Sequence, residues 1–147
     1  MRCNVGIKPE YLTDQHLVAE YRELLIVYGK LKLNDFKIKT PIPTNFSLGT
    51  GHINFFKNKF VYLHKRWNLL VEELKKRGFQ TNLNFSPYEH LPQELKQDWI
   101  PQESDFKLLQ ERIEQKILMK PLWYRYYSKN IDENFLNKFK KNDIYFV

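Results

Sequence analysis

The stretch DQHLVAEYREL, residues 14–24, puts His16, Glu20, Arg22 and Glu23 onto barely two helical turns. A helix advances 3.6 residues per turn, so positions 16, 20 and 23 share one face. Leu17, Tyr21, Leu24, Leu25 and Tyr28 form the adjoining apolar stripe. Thr13 or Asp14 caps the helix, both being good N-cap residues. The polar face offers a carboxylate, an imidazole and a guanidinium against a hydrophobic backing, which would suit a catalytic shelf. Taken alone, such residues are more often solvated surface groups than catalysts.

Working outward, the first helix is expected from Asp14 to about Lys32. A second, from about Ile53 to Arg77, has Phe56, Phe60, Leu63, Trp67, Leu70 and Leu74 stepping by four and three. Lys75, Lys76 and Arg77 suit the negative end of its dipole, and Gly78 is a natural stop. A third runs from about Glu103 to Met119, with Pro101 before it, Pro121 ending it, and Phe106, Leu109, Ile113 and Ile117 facing inward. Pro41, Pro43 and Gly49 mark a loop between the first two helices. Residues 80–101 read as a long irregular connection with room for one short helical turn. A short helix is expected near Asp132 to Lys140. No run suggests a sheet. The expected fold class is all-α, a small single domain of three helices with long loops. Long loops in so small a domain are more often functional than idle.

The 147 residues make one domain by length and are enough for a core without staples. With 42% hydrophobic and 16% aromatic residues, the chain argues for a packed globule. The single cysteine, Cys3, cannot form an internal disulfide. The opening MRCNVGIKPEY lacks the apolar core of a signal peptide, and no segment is apolar for long enough to span a bilayer. The expectation is a soluble protein of the cell interior, cytoplasmic or nucleoid-associated, or inside a host cell if viral. The net charge of +7 points to a polyanionic partner, most commonly nucleic acid. No basic amphipathic helix of the membrane-surface kind is present, so no membrane partner is expected.

The four histidines, His16, His52, His64 and His90, show no metal-ligand spacing, and Cys3 has no partner. No metal or other cofactor is expected. LGTGH, residues 48–52, follows no strand and reads as a tight turn rather than a phosphate cradle. Arg112, Lys116 and Lys120 recur at intervals of four as one basic stripe. Such a stripe is usually a solvated face. Here it is followed by WYRYY, where Trp123, Tyr124, Tyr126 and Tyr127 interleave with Arg125 and Lys129, as on nucleic-acid surfaces. Some of these rings are expected to be buried against the first helix.

These segments in order, DQHLVAEYREL, then FKIKTPIPTNFSLGTGHINFF (36–56), RGF (77–79), LPQELKQDWIPQES (91–104), QERIEQKI (110–117) and PLWYRYYSK (121–129), resemble the phage-type pyrimidine-dimer DNA glycosylases. The resemblance covers residues 1–129, with 130–147 as a C-terminal extension. It implies an enzyme that attacks sugar C1′ with the α-amino group of its own N-terminus. The attack displaces the base, leaves a Schiff base, and cuts the strand by β-elimination. Only an amine can collapse to an imine. The α-amine, with a pKa of about 7.7–8.0 against about 10.4 for lysine, is the most readily neutral one.

The resemblance implies further that Met1 supplies this α-amine, since Arg2 in second place disfavours methionine removal. Glu23 matches the catalytic carboxylate, and Arg22 a phosphate-binding arginine beside the lesion. Gln15 and His16 match residues that contact the backbone at the kink, and Arg2 the family's first arginine. Arg112 and Lys116 match DNA-contacting residues, and the segment carrying Trp123, Tyr124, Arg125 and Lys129 lies near the damaged bases. Ile26 stands where the family has a further arginine. The N-terminal segment is expected to be extended and packed near the first helix.

The reading is a DNA repair enzyme, a glycosylase with abasic-site lyase activity on ultraviolet-induced pyrimidine dimers in duplex DNA. It is expected to work as a monomer without an obligatory protein partner. The alternatives are a DNA-binding protein of the same fold without the reaction, or a glycosylase/lyase for a different lesion.

Overall fold

The Thr13 hydroxyl accepts the His16 backbone N–H at 3.1 Å and caps the first helix, resolving the choice between Thr13 and Asp14. The computed structural model describes residues 2–145. Helix α1 spans Asp14–Glu23 and α2 spans Ile26–Leu33. Leu24 and Leu25 between them stay in the right-handed helical region, so the junction is a tightened turn. Next come α3, His52–Phe56, and α4, Phe60–Lys76. Helix α5, Glu103–Met119, is followed by strands β1, Arg125–Tyr126, and β2, Lys129–Asn130, and by α6, Glu133–Phe139. The chain is mostly helical, as expected, but it is not a three-helix domain.

The expected second helix breaks at Lys59, which sits at φ −123°, ψ 44°. Its apolar positions continue across the break, because Phe56 and Phe60 are still four apart, so periodicity alone gives no warning. The break is made by a distant segment. The Gln97 N–H donates to the Asn58 carbonyl at 3.1 Å, and Lys59 pairs with Lys96 in an isolated bridge. The Lys59 ammonium donates back to the Phe55 carbonyl at 2.8 Å.

The core forms where α1 crosses α4. Leu17, Tyr21 and Leu24 meet Leu63, Trp67, Leu70 and Leu74, all buried. The Trp67 indole donates to the Tyr21 carbonyl at 3.0 Å, and the two rings stack. The N-terminal segment is interior: Cys3, Asn4, Val5 and Ile7 are buried. Gly6, at φ +73°, permits this course, since a Cβ there would lie 2.0 Å from the Phe106 ring. The segment 130–145 packs onto the same core through Phe139, Ile144 and Tyr145. The Lys8 N–H donates to the Ile144 carbonyl at 2.7 Å, and Ile7 bridges Tyr145. Among the described residues no helix is long and apolar enough to cross a membrane.

The β1–β2 hairpin was not expected. Its turn residues, Tyr127 at φ 51° and Ser128 at φ 64°, occupy the left-handed region that a two-residue hairpin demands. Sequence signals for such turns are Asn-Gly or Asp-Gly, and Tyr-Ser carries neither. A tertiary contact supplies the missing preference: the Asp14 carboxylate accepts the Tyr127 N–H at 3.1 Å and the Ser128 N–H at 2.7 Å.

Candidate active site and nucleic-acid interface

Helix α1 separates two depressions that meet at Ala19. One, of about 250 Å³, is lined by Arg2, His16, Ala19, Glu20, Glu23 and Lys116. The other, of about 520 Å³, includes Gln15, Val18, Arg22, Phe79, Trp123 and Arg125. Positions 16, 20 and 23 do share a face, as their spacing requires. Arg22 lies about 100° round the helix from Glu23 and therefore opens onto the other flank.

Glu20 is not part of a free catalytic shelf. Its carboxylate accepts from Arg66 Nε at 2.7 Å and Nη2 at 2.9 Å, and from Asn4 Nδ2 at 2.9 Å. Burial works against the Arg66 charge, but the Glu20 carboxylate more than offsets it and keeps the guanidinium ionised. Arg66 Nη1 also donates to the Ile7 carbonyl at 2.5 Å. The Cys3 N–H donates to His52 Nε2 at 2.9 Å, while His52 Nδ1 bonds the Ser47 carbonyl at 3.0 Å. That arrangement needs a neutral imidazole, and burial lowers the His52 pKa accordingly. Residues 3, 4 and 7 are thus each tethered, and Arg2 is delivered beside Glu23.

The Glu23 depression is electropositive. Burial and then the neighbouring Arg112 lower the pKa of Arg2, with Glu23 opposing. Burial, Arg2 and Arg112 lower that of Lys116, again against Glu23. Burial followed by Arg2 and Lys116 holds His16 down at about 3, so its ring is neutral at physiological pH. The ring is bonded through Nδ1 to the Thr13 hydroxyl at 2.7 Å. Three cations crowded around one carboxylate form a natural seat for phosphate.

The second flank is built by the chain after α5. The Gln15 amide donates to the Trp123 carbonyl at 2.7 Å and accepts the Arg125 N–H at 2.9 Å. Gln15, expected at DNA, therefore has both amide atoms engaged in holding this segment. Tyr124 is buried and stacked on His16 as the sequence suggested, whereas Trp123 is exposed over the groove. Asp14 also takes Arg77 at 3.0 Å, and Arg77 bonds Glu73 at 3.1 Å while lying against the Tyr126 and Tyr127 rings.

Arg112 and Lys129 are exposed, and Ile26 is exposed where the resemblance has an arginine. The Met1 α-amine lies outside the described residues. Among the described residues, no three of His, Cys, Asp and Glu converge so as to hold a metal ion.

Sequence reasoning missed Asn4, His52 and Arg66 as the tethers of the N-terminal segment. Arg66 did leave a signal: it falls on the apolar face of α4 beside Leu63 and Leu70, where a cation needs a buried carboxylate.

The family model described as pyrimidine dimer DNA glycosylase matches residues 2–87, more than half of the chain. The matched stretch contains Arg2, Gln15, His16, Arg22, Glu23 and Arg66. Lys116 and the 123–129 segment lie beyond it and join its surface through the fold. The tethered N-terminal segment, α1 with Glu23, and the α4 helix that anchors both thus fall within the matched stretch, and the chain belongs to the pyrimidine dimer DNA glycosylase family.

Proposed function

We propose that the protein is a DNA glycosylase with abasic-site lyase activity on ultraviolet-induced pyrimidine dimers in duplex DNA. A neutral N-terminal α-amine attacks sugar C1′, and the C1′–N bond breaks with the base leaving as it gains a proton. The sugar ring then opens as the nitrogen lone pair forms the imine. Loss of a C2′ proton expels the 3′ phosphate. Glu23 stabilises the cationic carbon and nitrogen centres and carries protons between these steps. Arg2 and Lys116 hold the flanking phosphates, with Arg22, Arg125 and Lys129 on the other flank.

The observation that carries this reading is the Glu23 depression, with Arg2 in its wall. Arg2 and Glu23 line the same depression, so the residue that one peptide bond joins to Arg2 is the nucleophile this reading takes. Arg2, Arg112 and Lys116 make the depression positive, and positive charge disfavours the protonated form of an amine, which suits an amine nucleophile.

Borohydride trapping tests the proposal. Duplexes with a dimer or an abasic site are incubated with the protein and reduced, and the adduct is mapped by proteolysis. The DNA remnant is expected on the α-amine of the N-terminal peptide. An adduct on Lys116, whose side chain lines the depression, would reassign the nucleophile. Exposed Ile26, in place of a phosphate-binding arginine, favours a second reading as a binding protein without the reaction. Tight binding to both duplexes with no adduct on either would select it.

A further inference from the structure

Leu122 stands at the tip of a tight turn, Lys120 to Trp123, closed by the Trp123 N–H donating to the Lys120 carbonyl at 3.1 Å. Pro121 suits the second position of such a turn. The third position ordinarily carries a small or polar residue. Leu122 is 83% exposed, Met119 77%, Leu118 56% and Trp123 57%. Four large apolar side chains within six residues exceed the scattered exposed leucines normal for a surface.

The turn is rigidly mounted. Gln15 holds its backbone on both sides of Tyr124, and Arg125 Nη1 donates to the Leu122 carbonyl at 2.5 Å. Trp123 stands edge-on to Tyr124, with ring centroids 5.0 Å apart, and Tyr124 lies on His16. The apolar projection therefore rests on an aromatic stack whose far end is the wall of the Glu23 depression. Lys116 and Lys120 precede it in the chain and Arg125 follows it, with Lys116 in the Glu23 depression and Arg125 in the groove under Trp123. An apolar tip with cations on the chain before and after it fits a polyanion with an apolar interior, and stacked base pairs between two phosphate backbones are that.

We propose that the Leu122 turn is a wedge that enters between base steps of duplex DNA. The flanking cations hold the phosphates while Leu122 and Met119 replace the lost stacking and keep the duplex kinked beside Glu23. The proposal rests on the DNA-repair reading above, and goes beyond it by naming the side chains that deform the substrate.

The test compares the full-length protein with Leu122→Ser and with Met119→Ser/Leu122→Ser. Thermal unfolding of the variants should match wild type, since both side chains are exposed. Two substrates are used: a dimer in a fully paired duplex, and an abasic site flanked by mismatches, which is already unstacked. A 2-aminopurine beside the lesion reports unstacking on binding. The variants should nick the paired duplex about tenfold or more slowly, keep the wild-type rate on the unstacked one, and lose the fluorescence rise.

Equal rates on the paired duplex would overturn the wedge, as would an equal loss on both substrates, which would make the turn a mere support. Wild-type protein inert on both substrates would refute the repair reading, and the fluorescence would still decide the wedge. A rise with wild type but not Leu122→Ser supports it, and no rise with wild type overturns it. Binding to anionic vesicles lost in Leu122→Ser, with the DNA response unchanged, would assign the turn to a membrane surface instead.

Discussion

His16 lies flat against Tyr124, with ring centroids 4.9 Å apart and planes 5° from parallel. The contact joins α1 to the chain after α5, and so joins the Glu23 depression to the Trp123 groove. It also keeps the imidazole out of water, which is the main reason it stays uncharged.

That burial has a pH signature. An unfolded histidine titrates near about 6.5, and the folded His16 at about 3. Between these values the unfolded state binds more protons, so stability rises with pH through the window and is lost as pH falls from 6.5 toward 3. His16→Gln should remove this dependence, flattening the stability curve by up to about 1.4 kcal/mol per pH unit in mid-window. Urea unfolding of both proteins at pH 7 and pH 4.5 measures the difference, and parallel losses would contradict a neutral, buried His16.

The Glu20–Arg66 pair predicts a large, asymmetric effect. Arg66→Leu leaves a buried carboxylate without its cation and should destabilise the fold by about 3–5 kcal/mol. Adding Glu20→Leu should recover part of the loss, because the orphaned charge is gone. Denaturant midpoints of the two single variants and the double variant test this. A double variant as unstable as the sum of the singles would deny the coupling.

Glu23→Gln keeps the shape of the depression and removes the larger carboxylate countercharge to Arg2 and the one that opposes its neighbours at Lys116. Nicking of dimer-containing duplex should fall by at least about a hundredfold, the low end of what acid–base catalysis supplies. DNA affinity should be equal or tighter, since the site becomes more positive. Gel-shift and single-turnover nicking assays separate the two quantities. Near-wild-type nicking would remove Glu23 from the chemistry.

Lys116→Ala should flatten the slope of log affinity against log salt by about one unit, the signature of one lost phosphate contact. Fluorescence anisotropy with a labelled duplex at several salt concentrations reads it. An unchanged slope would mean that Lys116 faces the depression without touching DNA.

Much of the helical content was legible because amphipathic spacing is local. Helix α5 ends at the expected Glu103 and Met119 because Pro101 and Pro121 bound its apolar period on either side. The inward set Phe56, Phe60, Leu63, Trp67, Leu70 and Leu74 is buried as its steps of three and four require. The placing of Glu23 on the face of His16 also follows from helical geometry alone. The break at Lys59 and the hairpin at Tyr127–Ser128 were not legible, because the groups that produce them, the Gln97 backbone and the Asp14 carboxylate, lie far off in the chain.

The amino-acid sequence by itself determined which residues turn toward the core on each helix, where prolines stop a helix, and that the surface is basic. Only the tertiary structure decided which charges are used up in holding the fold. Glu20 and Glu23 look alike in sequence, three residues apart on one face. One is consumed by Arg66, 46 residues away, and the other faces an open depression. Likewise Asp14 is consumed by Arg77 across 63 residues, together with the turn it holds. A buried charge must find a partner wherever packing puts one, and that choice depends on which faces meet, a property no local window contains.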